Sequence, residues 1–523
     1  MKRKTYFPVR VKPVILFLVG LLISPGIVFA ELRLPALISD GMVLQRDMEI
    51  CIWGWAEPGE LITVSGSWQN EELIATADMD GQWLLKMEPH EAGGPYKLTI
   101  SGEESIIVDN IMFGEVWICS GQSNMELSVE RAANAEREIP EADYPDIRMF
   151  KVAKDVAEEP QTDCRGDWAV CSLKTVPRFS AVGYFFAREL HKELEVPIGM
   201  IHTSWGGTPA EAWTKTEALE EIPECVPILE RYEKAVENFP QAQQEYMKRL
   251  QDWERSAQKA KSEGGRPTRK PKSPYGPGHP YSPGGLYNGM ISPLIKYRIK
   301  GAIWYQGENN TYRAYQYRKL FPAMIRNWHS DWEQGDFPFL FVQLANYKAV
   351  NPEPSESDWA ELREAQLKTL ELPNTGMAVI IDIGEANDIH PKNKQDVGKR
   401  LALWALAKTY EKDIVYSGPV YKFMDVEGGR IILHFEHIGG GLTIAGNEKL
   451  KGFAVAGEDR RFVWADAEIH GDTVVVSSQR VLNPVAVRYG WADNPQCNLY
   501  NKEGLPATPF RTDEWPGITI NRK

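Results

Sequence analysis

The sequence has no excess of positive charge. Its 523 residues carry 59 Lys and Arg against 72 Asp and Glu, a formal charge of -13. That balance excludes a nucleic-acid binder built on a broad basic face. Cysteine is scarce: six residues (Cys51, Cys119, Cys164, Cys171, Cys225, Cys497), with no C-x-x-C pair among them. Such a count rules out a disulfide scaffold, and the spacing offers no thiolate metal site. A short loop separates Cys164 from Cys171, which makes them the expected bonded pair, while Cys119 lies in an apolar strand pattern and reads as core packing. Past residue 30 there is no long apolar run, so no later segment reads as spanning a bilayer. No repeat period of about 20 to 50 residues appears either, which excludes a solenoid or propeller. Aromatics, by contrast, are plentiful: 17 Trp, 20 Tyr and 18 Phe in a chain that is 43% hydrophobic. A disordered chain is thereby excluded, and indole faces are available either to stack on ligands or to fill cores.

The first thirty residues stand apart. Lys2, Arg3, Lys4, Arg10 and Lys12, with no acid among them, precede an apolar run over 14–23. Pro25-Gly26 and then Val28-Phe29-Ala30 follow, a small-x-small ending. This pattern predicts a secretory signal peptide over 1–30, cleaved after about Ala30, and a secreted or periplasmic product without a membrane anchor. Cleavage would leave 54 of the 59 basic residues against 72 acids, a charge near -18.

Residues 31–109 alternate in short β-like runs separated by Pro58-Gly59, Asp80-Gly81 and Gly93-Gly94-Pro95, which predicts an N-terminal β domain of sandwich type. From 110 to 412, apolar runs at 116–119, 198–202, 300–305, 337–344 and 377–383 alternate with helical patterns at 182–194, 315–328, 360–370 and 397–410. The expected fold class is therefore α/β, with an open parallel sheet that binds ligand beyond the carboxyl ends of its strands. An insertion over about 226–285 interrupts it. Its first part, 226–262, is a polar amphipathic helix, and the Gly/Pro/Lys-dense stretch to 285 is a loop, read either as a surface excursion or as a lid. β-like runs return over 413–523, a C-terminal β region expected to pack on the α/β layer.

Chemistry concentrates at strand ends. The run at 116–119 leads into Ser120-Gly121-Gln122-Ser123-Asn124-Met125. A serine there meets the free N–H groups of a helix start, which can stabilise an oxyanion. The surroundings are not G-x-S-x-G, so a nucleophile elbow is not indicated. A serine nucleophile needs a base, and there are nine histidines. His90 and His470 fall in β regions, His279 in the Pro/Gly loop, His434 and His437 in a strand pattern, and His191 and His329 on helices. His202 ends a strand, a pocket position. His390 follows the fifth strand in Gly384-Glu385-Ala386-Asn387-Asp388-Ile389-His390-Pro391, with Asp388 close enough to orient an imidazole. Two other strand ends lead to Ser204-Trp205-Gly206-Gly207-Thr208 and Gln306-Gly307-Glu308-Asn309. The paired glycines admit a backbone N–H close to a ligand, and Gln306 or Asn309 supplies an amide.

Four blocks in this order, Gly121-Gln122-Ser123-Asn124-Met125, Ser204-Trp205-Gly206-Gly207-Thr208, Trp304-Tyr305-Gln306-Gly307-Glu308 and Asp388-Ile389-His390-Pro391, resemble the SGNH-hydrolase superfamily. Within it, the chain resembles the sialate O-acetylesterase family and its plant-polysaccharide acetylesterase relatives. The resemblance implies a three-layer α/β/α core flanked by β-sandwich-like regions, with Ser123 as nucleophile and His390 as base. It implies an oxyanion hole from the N–H groups of Ser123 and Gly207 (preferred over Gly206) and an amide of Gln306 or Asn309. Gln122, Trp205 and Glu308, from the same blocks, are the expected substrate contacts. One spacing departs from the superfamily: Asp388 and His390 are separated by one residue rather than two, so either Asp388 or a backbone carbonyl supports the imidazole. The expected activity is hydrolysis of O-acetyl groups on carbohydrate, sialic acid first and plant polysaccharide second, without metal or organic cofactor. Two other classes compete. One is a noncatalytic carbohydrate-binding protein; the other is a glycosidase using Glu308, Glu385 and Asp388 as paired carboxylates.

Overall fold

The structure, a computed structural model, describes residues 31–446 and 448–523; the expected signal segment lies outside the described residues. Its centre is a sheet of seven strands: β1 (Ser105–Gly121), β2 (Tyr144–Lys151), β3 (Trp168–Cys171), β4 (Ile198–Ser204), β5 (Gly301–Tyr305), β6 (Phe339–Val342) and β7 (Thr375–Ala378). They lie in the order β7-β6-β5-β1-β4-β2-β3, and every neighbouring pair is parallel except β2 with β3. Parallel strands covered on both faces read as unbroken apolar runs, which is why β1, β4 and β5 are visible in the sequence. β2 does not read that way. It carries Pro145, Asp146 and Arg148, yet Arg148 is buried, with its guanidinium donating to Gly41 O at 3.0 Å.

β1 changes character along its length. Its first half, partly exposed, pairs antiparallel with Gly93–Ser101; its last eleven residues are all buried at the centre of the parallel sheet. The position near 110, where the composition shifts, thus falls inside one continuous strand. Alternate residues feed two cores: Val116 and Ile118 pack with Trp304, Phe341, Met324 and Leu362, whereas Trp117 and Cys119 pack with Ile303, Leu340, Phe185 and Val397. Each such apolar side chain contributes roughly 1.5–3 kcal/mol on burial. Helices Ala314–Trp332 and Asp358–Lys368 cover the first face; Ala181–Leu194 and Lys394–Lys408 cover the second, completing three layers. Gly398 allows the last two helices to touch, since a Cβ there would lie 2.6 Å from that of Phe185.

The flanking regions are mainly antiparallel, although Val43–Gln45 runs parallel to Met112–Gly114 of β1. Ile50–Trp55 pairs with Gln82–Met87, and Leu61–Gly66 with Glu72–Thr76 and Gly93–Ser101. In the C-terminal region two four-stranded sheets enclose a core of Ile431, Leu433, Val455, Val476, Val487 and Phe510. The insertion opens with the 37-residue helix Val226–Ser262, on which only Ile228 and Ala257 are buried. All six cysteines are free, which corrects the expected Cys164–Cys171 bond. Cys171 is buried in β3 with one hydrophobic cluster, while Cys164 packs against the other. Among the described residues no helix is long and apolar enough to cross a membrane.

Candidate active site

Strand register brings three of the four blocks to one level. Gly121, the last residue of β1, pairs with Ser204 at the end of β4 and with Tyr305 at the end of β5. Gln122-Ser123, Trp205-Gly206-Gly207 and Gln306-Gly307-Glu308 therefore leave the sheet side by side. Gly121 is required at that point: its φ is +136°, and a Cβ would lie 2.2 Å from Tyr305 O.

Ser123 opens a four-residue helix, Ser123–Glu126, and its own N–H donates to no acceptor among the described residues. His390 comes from the loop after β7. Its Nε2 lies 2.8 Å from Ser123 Oγ, a distance at which the hydroxyl proton can pass to the imidazole. Asp388 Oδ1 accepts the His390 backbone N–H at 2.9 Å and stands 3.4 Å from His390 Nδ1. Asp388 is therefore a near neighbour of the ring rather than its tight hydrogen-bond partner. The His390 N–H first, and then the attraction of the ring, hold its carboxyl below the usual aspartate range.

The expected oxyanion donors separate in the structure. The Gly206 N–H donates to Glu126 Oε2 at 2.7 Å, so it is occupied. Gly207, at φ +80°, has an N–H with no acceptor among the described residues. Gln306 is fully buried, and both its amide protons are committed: one to Thr208 O at 3.2 Å, the other to Asn310 Oδ1 at 2.7 Å. Its Oε1 accepts from the Tyr317 hydroxyl, which leaves Gln306 no group for a ligand. Asn309 is half-buried, spends one amide proton on Gly207 O, and keeps the other.

The remaining candidates divide as well. Gln122 is buried, its Oε1 facing the Asn309 N–H at 3.5 Å. Trp205 is half-buried with Lys154 Nζ 5.3 Å from its ring centre, whereas Trp117, Trp213 and Trp304 are fully buried core residues. Glu308 Oε1 accepts from Asn124 Nδ2 at 2.6 Å, and its Oε2 is buried without a partner, out of reach of solvent. Burial raises its carboxyl above the usual range. His202 is buried against Ser204 Oγ at 2.6 Å, and its pKa is pushed down to about 3 by desolvation, so it stays neutral inside β4. The insertion does reach the site: the Tyr281 hydroxyl lies 3.2 Å from where a Cβ on Gly207 would stand.

Several residues around the site had escaped notice in the sequence. Glu126 ties the Gly206 turn to Lys154, whose Nζ is 2.5 Å from Glu126 Oε1. Lys394 is fully buried and donates to Asn124 Oδ1 at 2.6 Å. A signal for it existed, since Lys394 shares the helical stripe of Val397 and Leu401, which faces the core. Among the described residues no cluster of three or more His, Cys, Asp or Glu is placed to hold a metal ion.

A parallel three-layer sheet that presents a serine and a histidine in contact at its carboxyl edge defines a hydrolase-type site. Residues 113–251 and 276–407 match the family described as carbohydrate esterase, sialic acid-specific acetylesterase, and the chain belongs to that family of carboxylic ester hydrolases. It is 30% identical to the sialate O-acetylesterase of Rattus norvegicus, over 91% of this chain and 94% of that one. Identity to the sialate O-acetylesterase of Homo sapiens is 29%, over 95% and 96% of the two chains. Among solved structures, a carbohydrate acetylesterase from Xanthomonas citri is 40% identical and superimposes with a TM-score of 0.79, covering 92% of this chain and all of its own.

Proposed function

We propose that this protein removes O-acetyl groups from carbohydrate through an acetyl-enzyme on Ser123. The observation that carries the reading is the 2.8 Å contact between Ser123 Oγ and His390 Nε2. Ser123 Oγ bonds to the acetyl carbonyl carbon as His390 Nε2 takes its proton. The oxyanion is held by the N–H groups of Ser123 and Gly207 and the spare amide proton of Asn309, each donor contributing about 3 kcal/mol in comparable sites. The protonated His390 returns its proton to the departing sugar oxygen as the ester C–O bond breaks. Water then attacks the acetyl-enzyme, giving a proton to His390; the bond from the acyl carbon to Ser123 Oγ breaks as His390 returns that proton to Oγ, and acetate leaves.

Sialic acid is the first substrate reading, supported by the names of the rat and human relatives. A plant polysaccharide is the second, compatible with the broader description of the Xanthomonas citri relative as a carbohydrate acetylesterase. Trp205 and Tyr281, both at the rim, supply faces on which a sugar ring can stack. Acetate release from 9-O-acetylated sialic acid and from acetylated xylan, by wild type and Ser123→Ala, tests both parts. Wild type releases acetate and prefers one substrate, and Ser123→Ala loses at least about a thousandfold in rate. Turnover by Ser123→Ala at the wild-type rate would overturn the mechanism. The N-terminal segment supports export, and N-terminal sequencing of the mature protein, expected to begin near Glu31, tests that.

A further inference from the structure

Lys394 breaks three rules of placement at once. It is a lysine with no exposure, it begins helix Lys394–Lys408, and among the described residues no carboxylate lies within 4.0 Å of its ammonium. Burial disfavours a cation, and the positive end of the helix dipole disfavours it again. A choice that local physics opposes on every count points to a task elsewhere. The task is visible in what Nζ touches. It donates to Asn124 Oδ1 at 2.6 Å and lies 5.0 Å from the Tyr305 ring centre.

Asn124 is the residue after Ser123, and its amide is fully used. Oδ1 takes the Lys394 proton; Nδ2 donates to Glu308 Oε1 at 2.6 Å and to Ile389 O at 3.0 Å. The Ile389 carbonyl belongs to the peptide group whose N–H is that of His390, and this N–H donates to Asp388 at 2.9 Å. Both poles of the peptide that carries the imidazole are thus held, the carbonyl by Asn124 and the N–H by Asp388. An ammonium can only donate, so it dictates which end of the Asn124 amide faces it. A neutral amine can also accept, and a methionine does neither. Without the ammonium Oδ1 loses its donor, and only the Glu308 and Ile389 acceptors on Nδ2 still hold the amide in place.

We propose that Lys394 is a positioning residue: by fixing the Asn124 amide it holds the Ile389–His390 peptide so that His390 stays in register with Ser123. This rests on Ser123 and His390 being the reacting pair. The groups facing the ammonium are Glu308 and Asn124, with Asp388 and Glu385 attracting it from the His390 loop and Tyr305 beneath it; burial outweighs these attractions and brings its pKa down to about 7. The ammonium is therefore lost as pH rises above neutrality, and with it the donor that holds Asn124 Oδ1.

The test is steady-state acetate release by Lys394→Met and Asn124→Asp between pH 5.5 and 9.5, beside wild type and Ser123→Ala. Asn124→Asp guards against a folding defect, because it gives Lys394 a carboxylate partner while removing the donor to Ile389. Lys394→Met and Asn124→Asp are each expected to lose about 10- to 100-fold in kcat with KM within about twofold. The wild-type decline on the alkaline side is expected to disappear in Lys394→Met. A kcat within twofold of wild type in either variant, or an unchanged alkaline limb in Lys394→Met, would overturn the proposal. If Ser123→Ala is inactive while Lys394→Met is normal, positioning alone has failed; if Ser123→Ala still turns over, the reading beneath it has failed.

Discussion

Arg363 and Lys394 are both fully buried cations of the α/β core, yet they are housed in opposite ways. Arg363 donates to four backbone carbonyls, those of Leu344 and Ala345 in the core and of Ala492 and Asp493 in the C-terminal region, at 2.7–3.0 Å. Its planar fork is satisfied by main chain, and burial brings its pKa down to about 9. Lys394 makes one hydrogen bond, to a side-chain amide beside Ser123, and falls to about 7. The difference separates a cation that staples two regions of chain from one that orients a reacting group. Around Arg363 the staple is reinforced by Arg488 with Glu356, Arg511 with Glu364, and Glu361 accepting the Ile518 N–H.

That contrast breaks if the two cations respond alike to removal. Arg363→Met should give the largest loss of stability, about 3 kcal/mol or more, because four buried carbonyls lose their donor. Urea unfolding measures it, and kcat of the folded protein should stay within twofold of wild type; a stability loss under about 1 kcal/mol would erase the distinction. A smaller effect is expected at Asp388, the exposed charge of the His390 loop. Asp388→Asn keeps an acceptor for the His390 N–H and removes a carboxylate 3.4 Å from the ring, so kcat should fall about tenfold. A loss near 10⁴, typical of a buried triad aspartate, would show that Asp388 closes onto the ring during turnover. The smallest effect is a pH trend. The Lys394 pKa is depressed in the folded state from about 10.4 to about 7, so between those values the unfolded chain holds more protons. Wild-type stability relative to Lys394→Met should therefore rise with pH across that window, by about 1 kcal/mol or more. Urea midpoints at pH 6.5 and 9.5 measure the trend; a flat difference would mean that Lys394 titrates normally.

The sheet and the four blocks were legible because buried parallel strands leave unbroken apolar runs that end at polar, glycine-containing turns. Ser123 follows directly on β1 and His390 lies in the loop after β7, and the fold brings the two into contact. β2 was missed because Arg148 and Asp146 interrupt the apolar pattern, and only the folded chain shows the carbonyls that accept from Arg148. The apolar run at 377–383 is longer than the strand it feeds: the chain stays buried through Ile381 but leaves the ladder after Ala378. Gln306 and Asn309 were indistinguishable as amides in one turn. What separates them is Tyr317, eleven residues on, and Asn310, which together consume Gln306 from within the core. Lys394 was overlooked because a lysine opening a helix reads as solvated unless the buried stripe of Val397 and Leu401 is extended back to it.

The central claim is that Ser123 is a nucleophile activated by His390. The most direct measurement is the rate and site of covalent labelling by a fluorophosphonate, read by mass spectrometry in wild type and His390→Ala. The structure predicts one adduct, on the peptide carrying Ser123, formed at least about a hundredfold more slowly without the imidazole. Labelling at another residue, or at the same rate in both proteins, would contradict it.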